Sequence, residues 1–239
     1  MTVLALFRTA SNFARLTGVL VLLFAQCAQA QIPTSSAEFR INHAADAKVR
    51  GAIELDRLVR CAMSRRENLA RNILVARPGS TAEERAAYPF RKVIENCMND
   101  LVTAISIGTP DMRGAIAEVF YLRQFPAKPD FAALDHKAMP LPKAWSEGQI
   151  GEYEKVRMLG QDLANCVVAT APDDADALLR AGIRSTAERA TFRRLVPVLG
   201  PCLPKSLKME LDVAWLRSVV AEGLLRSMGE WRSNAGVRN

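Results

Sequence analysis

The feature that most constrains this chain is a cysteine spacing that occurs twice. Cys61 and Cys97 lie 36 residues apart, and so do Cys166 and Cys202. The two pairs are offset by 105 residues, and other positions obey the same offset. Leu58 falls on Leu163, Ala70 on Ala175 and Leu74 on Leu179. Ser80-Thr81-Ala82-Glu83 falls unchanged on Ser185-Thr186-Ala187-Glu188. Past the second cysteine the offset drops to 104, where Arg113 matches Arg217 and Ala117-Glu118 matches Ala221-Glu222. Four consecutive identities at the offset that the cysteines define indicate an internal duplication. A unit that existed before its duplication must have closed its own disulfide. The expected pairs are therefore Cys61–Cys97 and Cys166–Cys202, each stabilising its unit by roughly 3–4 kcal/mol in the chain-entropy account. Units of this size need such a staple, because one small core supplies only a few kcal/mol.

Disulfides require an oxidising compartment, and the first thirty residues read as an export signal. Arg8 and Arg15 provide a basic start, Leu16 to Ala25 is apolar, and Ala28-Gln29-Ala30 places small residues where a signal peptidase reads. Cleavage after Ala30 gives a periplasmic chain starting at Gln31. The apolar run is short of the about 20 residues that span a ~30 Å hydrocarbon core, so a membrane anchor is disfavoured. A lipoprotein would use Cys27, but Gln26 before it is not the small residue wanted. Losing two arginines with the signal takes the net charge from +7 to +5, which is modestly basic. The remaining four cysteines lack the tight spacing of zinc or thioredoxin-type sites, so no metal is expected.

The expected fold is mostly α, with helical unit 1 over 31–123, a Pro-rich linker over 124–150 and helical unit 2 over 151–239. Residues 31–42 read as a loose polar leader. Helical periodicity predicts a helix over 44–64, with Val49, Ile53 and Val59 on its apolar side, and a counterpart over 151–169 with Val156, Leu159 and Leu163. Shorter helices follow over 67–76 and 173–181. The repeated Ser-Thr-Ala-Glu is a capping box, in which the serine accepts a backbone N–H and the glutamate reaches back to the cap. The helices it opens contain Pro89 and Pro197 and are expected to be short or kinked there. Period-two patterns at 101–107 and 207–211 predict a short strand in each unit, the two pairing as a ribbon across a pseudo-twofold axis. Final helices run from Thr109 to about Leu122 and from Val213 to Met228. Four prolines between Phe125 and Gly151 make that linker extended rather than packed.

Two cysteine-bearing units, each ending on Arg113, Ala117-Glu118, Tyr121 or Arg217, Ala221-Glu222, Leu224, resemble exported alphaproteobacterial proteins with two helical repeats. The resemblance implies a periplasmic home. It implies no activity, cofactor or catalytic residue.

The search for chemistry returns little. His43 lies in the leader and His136 in the linker, without the helical spacing of a zinc protease. There is no glycine-rich phosphate loop and no nucleophile elbow, and no cofactor is expected. Glu118 and Glu222 occupy matching positions in otherwise apolar helices. They could act as an acid/base pair on cell-wall glycan. Alternatively each is bonded to an arginine, from its own helix (Arg123, Arg226) or a neighbour, and recurrence in both copies favours this structural role. Between Arg57 and Lys92 the net charge is +6, while the matching stretch of unit 2 is neutral. Arg57, Arg60, Arg65, Arg66 and Arg71 thus mark a face for an anionic partner, or a solvated helical surface. Nucleic acid is not expected, because an exported protein with few aromatics among its basic residues lacks a stacking platform. The leading expectation is a non-enzymatic periplasmic binding or envelope-associated protein, with an unknown protein or an anionic envelope component as partner. The alternatives are a glycan hydrolase acting through Glu118 and Glu222, and a structural or assembly factor.

Overall fold

The computed structural model describes residues 39–42, 46–98, 109–132, 134, 145, 148–204 and 209–228. The element order is β1 (Phe39–Asn42), α1 (Asp46–Val75), α2 (Thr81–Glu95), α3 (Thr109–Gln124), α4 (Glu152–Thr170), α5 (Pro172–Arg180), α6 (Thr186–Cys202), β2 (Met209–Asp212) and α7 (Val213–Ser227). The protein is mostly helical, as its periodicity requires. Both predicted disulfides form, Cys61–Cys97 and Cys166–Cys202.

The duplication is visible in the backbone. Helix α1 carries one non-helical residue, Arg66, at φ −146° and ψ 63°. At the matching position, Ala171 separates α4 from α5 at φ −141° and ψ 60°. The helices expected over 44–64 and 67–76 are thus two segments around one break, copied in unit 2. A second match lies before the capping boxes, where Gly79 and Arg184 have positive φ of 81° and 59°. Ser80 accepts from the Glu83 N–H at 3.2 Å and Ser185 from the Glu188 N–H at 3.0 Å. The glutamates reach one residue further back than the capping-box pattern predicts. They accept from the Gly79 and Arg184 N–H groups, both at 2.6 Å, because the left-handed residue turns that N–H toward the helix start.

Several expectations are corrected. Helices α2 and α6 run through Pro89 and through Pro197 and Pro201. The surrounding packing outweighs the lost backbone bonds, since Phe90, Ile94, Leu195 and Leu199 are all buried. Ile53 and Val156 point to solvent at 52% and 63% exposure, because the buried stripe is carried by their neighbours. The leader is not loose throughout: Phe39–Asn42 forms β1 and pairs in parallel with β2, Phe39 opposite Met209 and Asn42 opposite Asp212. The strand predicted over 207–211 is therefore present at 209–212, but its partner comes from the leader. The strand predicted over 101–107 lies outside the described residues. The linker is packed in part, with Phe131 and Trp145 both buried.

Helices α3 and α7 pack against each other at the centre. Helix α1 packs on α2 and α3, and α4 packs on α6 and α7. Residues of both repeats, including Leu58, Ile73, Ile116, Leu163, Leu178 and Leu224, belong to one continuous apolar core. At the crossing of α3 and α7, Gly114 faces Ser218, its own counterpart 104 residues on. A Cβ on Gly114 would lie 2.2 Å from the Ser218 Cβ, so the glycine is what permits this approach. No described helix is long and apolar enough to cross a membrane.

Candidate functional site

The charged centre of the molecule is built from the residues that the duplication kept. Arg113 and Glu118 lie five positions apart on α3, which turns them to different sides of a helix with 3.6 residues per turn. Neither can satisfy the other, and both are buried. The solution is an exchange between halves. Arg113 Nε donates to Glu222 at 2.6 Å, and Arg217 donates to Glu118 through Nε at 2.8 Å and Nη2 at 2.6 Å.

Each arginine also organises its own half. Arg113 Nη1 donates to the Ile73 and Ala76 carbonyls at 2.6 and 3.0 Å, and Nη2 to Leu74 at 2.9 Å. Arg217 does the same to Leu178, Ala181 and Leu179 at 2.8, 2.9 and 2.7 Å. These are the last carbonyls of a helical segment, which have no partner within the helix and face the negative end of its dipole. The capping-box glutamates complete the cage. Arg113 Nη1 meets Glu83 at 3.1 Å, and Arg217 Nη1 meets Glu188 at 3.0 Å. One guanidinium thus closes the end of one helix, fixes the start of the next and binds the opposite half. Burial alone would lower the Arg217 pKa, but hydrogen bonds and charge from Glu118, then Glu188, carry it above its ordinary value.

The two sides of this centre differ in what surrounds them. Beside Arg113, Trp145 inserts from the linker, donating its indole N–H to the Val75 carbonyl at 3.2 Å. The guanidinium carbons of Arg113 and Arg226 lie 5.3 and 5.4 Å from its ring centroid, a cation–π arrangement. Arg226 donates to the side-chain oxygens of Gln161 and Asn165. It lies 3.9 Å from Glu222. Burial lowers its pKa to about 10, the Arg113 charge adding to this while Glu222 and Asp162 oppose it. A small cavity lies here between Arg113, Glu222, Arg226 and Trp145. On the other side, Tyr121 donates to Asp176 at 2.7 Å, and Arg180 binds Asp176 at 2.8 Å.

Glu118 and Glu222 are thus each bonded to an arginine of a neighbouring helix, which belongs to the opposite repeat, and Glu222 also lies near Arg226 of its own helix. The sequence contained the clue: a buried Arg and Glu at a non-pairing separation, both duplicated, imply a reciprocal exchange. Trp145 carried no comparable signal. Among the basic residues of unit 1, Arg57 pairs with Glu54, Arg60 with Asp56 at 2.8 Å, and Arg71 with Glu67 at 2.6 Å. Glu54 and Asp56 lie just before Arg57, so they offset part of the positive charge between Arg57 and Lys92. Arg65 donates to the Asn96 carbonyl at 3.2 Å, and Arg66 is exposed at the helix break. The described residues contain no cluster of metal-ligating side chains. No protein-family model, no curated protein and no solved structure matches this chain.

Proposed function

We propose that this is an exported, non-enzymatic periplasmic protein that binds a protein or an anionic component of the envelope. One observation carries the reading. The two carboxylates best placed for chemistry, Glu118 and Glu222, are buried and held at 2.6 Å by arginines. A general acid or base must exchange a proton with a substrate, and a carboxylate enclosed by a guanidinium is neither accessible nor free to do so. Two disulfides support an oxidising compartment, and with it the signal reading of residues 1–30. The exposed cations of unit 1, Arg65 and Arg66 foremost, are the first surface to examine for the partner.

The test has two parts. In-cell crosslinking of the mature protein should capture a dominant partner or locate it on the wall or outer membrane, and Arg65→Glu with Arg66→Glu should weaken that capture. In parallel, Glu118→Gln with Glu222→Gln should lower the melting temperature. A purified protein that cleaves cell-wall glycan, and that loses this activity in the double glutamine variant while keeping its stability, would overturn the proposal in favour of a hydrolase.

A further inference from the structure

The contact between α3 and α7 has the form of a symmetric dimer interface. In such an interface residue i of one copy meets residue j of the other, and j meets i. Arg113 to Glu222 and Arg217 to Glu118 are that reciprocal pair. Gly114 opposite Ser218 lies where the pseudo-twofold axis crosses. Nothing in this pattern requires the two halves to share a covalent chain.

A second set of contacts breaks the symmetry and distinguishes the halves. Tyr121 donates to Asp176, and Arg180 donates to the Phe125 and Ala127 carbonyls at 2.9 and 2.8 Å. Arg77 pairs with Glu154 at 2.9 Å, and Trp145 donates to Val75. With a division between residues 134 and 145, every one of these contacts joins a first half to a second half. Two of them lose a side-chain partner if like halves meet: the position matching Asp176 is Arg71 and that matching Glu154 is Val49, while Tyr121 and Arg77 are replaced by Leu225 and Gly182. Two second halves would also oppose Ser218 to Ser218, where the existing crossing has no room for a second side chain.

We infer that each half of this protein is a recognition module whose built-in partner is the complementary half, whether in its own chain or in a second copy. The symmetric arginine–glutamate exchange supplies the common interface. The asymmetric contacts select unlike halves. The inference is independent of any envelope partner.

The experiment uses the full mature chain with a protease site placed within residues 135–144, cut after folding with both disulfides intact. The cut protein should elute as one complex of the uncut mass. Two cut preparations, one isotopically heavy, are then mixed, unfolded in denaturant and returned to buffer. Native mass spectrometry should show first-half/second-half pairs with the statistical share of heavy–light mixtures. Halves that elute apart after cutting, that do not recombine, or that recombine with their own kind would each overturn the inference. Gly114→Ser in the first half should reduce recovery of pairs at least tenfold. Combining it with a second half carrying Ser218→Gly should restore recovery, because one small residue again occupies the crossing. Failure of that rescue would overturn the inference that the halves recognise each other through the α3–α7 crossing.

Discussion

The guanidinium of Arg113 holds the Glu222 carboxylate at 2.6 Å, and both side chains are almost wholly removed from solvent. A buried ion pair contributes little net stability over an apolar pair of the same shape. Removing one partner is different, because it strands a desolvated charge at a cost of about 3–5 kcal/mol. Glu222→Gln keeps the shape and an acceptor, so the expected loss is toward the lower end, about 3 kcal/mol. Urea unfolding at pH 7 measures it. A loss below about 0.5 kcal/mol, the size of a surface substitution, would mean that the pair does not form in solution.

The matched left-handed residues give a paired prediction. Gly79 has φ of +81°, and a Cβ there would sit 3.1 Å from the Arg157 Cγ and the Glu154 Cα. Gly79→Ala should destabilise by about 1–3 kcal/mol through overpacking and backbone strain. Arg184 holds the equivalent position with φ of 59°, carrying the strain of a side chain in that region. Arg184→Gly should raise stability by up to about 1 kcal/mol. Thermal melts of the two variants should shift in opposite directions, and a shared direction would contradict the structure.

Each disulfide closes a separation of 36 residues within its own repeat. Replacing Cys61 and Cys97 together with serine should cost about 3–4 kcal/mol, and the same holds for Cys166 and Cys202. Peptide mapping without reduction should link no cysteine of one repeat to the other. A cross-repeat peptide would remove the basis for reading the chain as two stapled units.

Tyr121 is fully buried, and burial, followed by its bond to Asp176, raises its pKa well above the ordinary phenol value of 10.0. The folded protein should therefore show no tyrosinate signal from Tyr121 at pH 11. Its ultraviolet titration should keep the same amplitude after Tyr121→Phe. The linkage sign follows. A phenol with a raised folded pKa contributes stability that is complete below pH 10 and falls as the pH climbs from there toward the folded value. Wild type should lose stability above pH 10 more steeply than Tyr121→Phe. A titration step removed by the substitution would refute the assigned environment.

The periodicity of the two cysteine-bearing helices, the serines that start α2 and α6, and the pairing of the cysteines are legible because each is a local or duplicated signal. Pro89 and Pro197 misled, since a local rule about helix breaking was overridden by the burial of Phe90 and Leu195. The leader strand has no local signature, because four residues paired with a segment about 170 positions away leave no periodic trace. Trp145 has none for the same reason: its partners, Val75, Arg113 and Arg226, are distant in the chain.

By itself, the sequence determined the repeat, its helices, its capping boxes and its disulfides, because these depend on spacings within one unit. The tertiary structure decided where the duplicated charges go. Arg113 and Glu118 on one helix cannot reach each other, and the fold pairs each of them with a charge of the other repeat, Glu222 and Arg217. Which atoms meet there depends on how closely α3 approaches α7 at Gly114 and Ser218. That distance is set by the packing of two helices together, and no local pattern in either one specifies it.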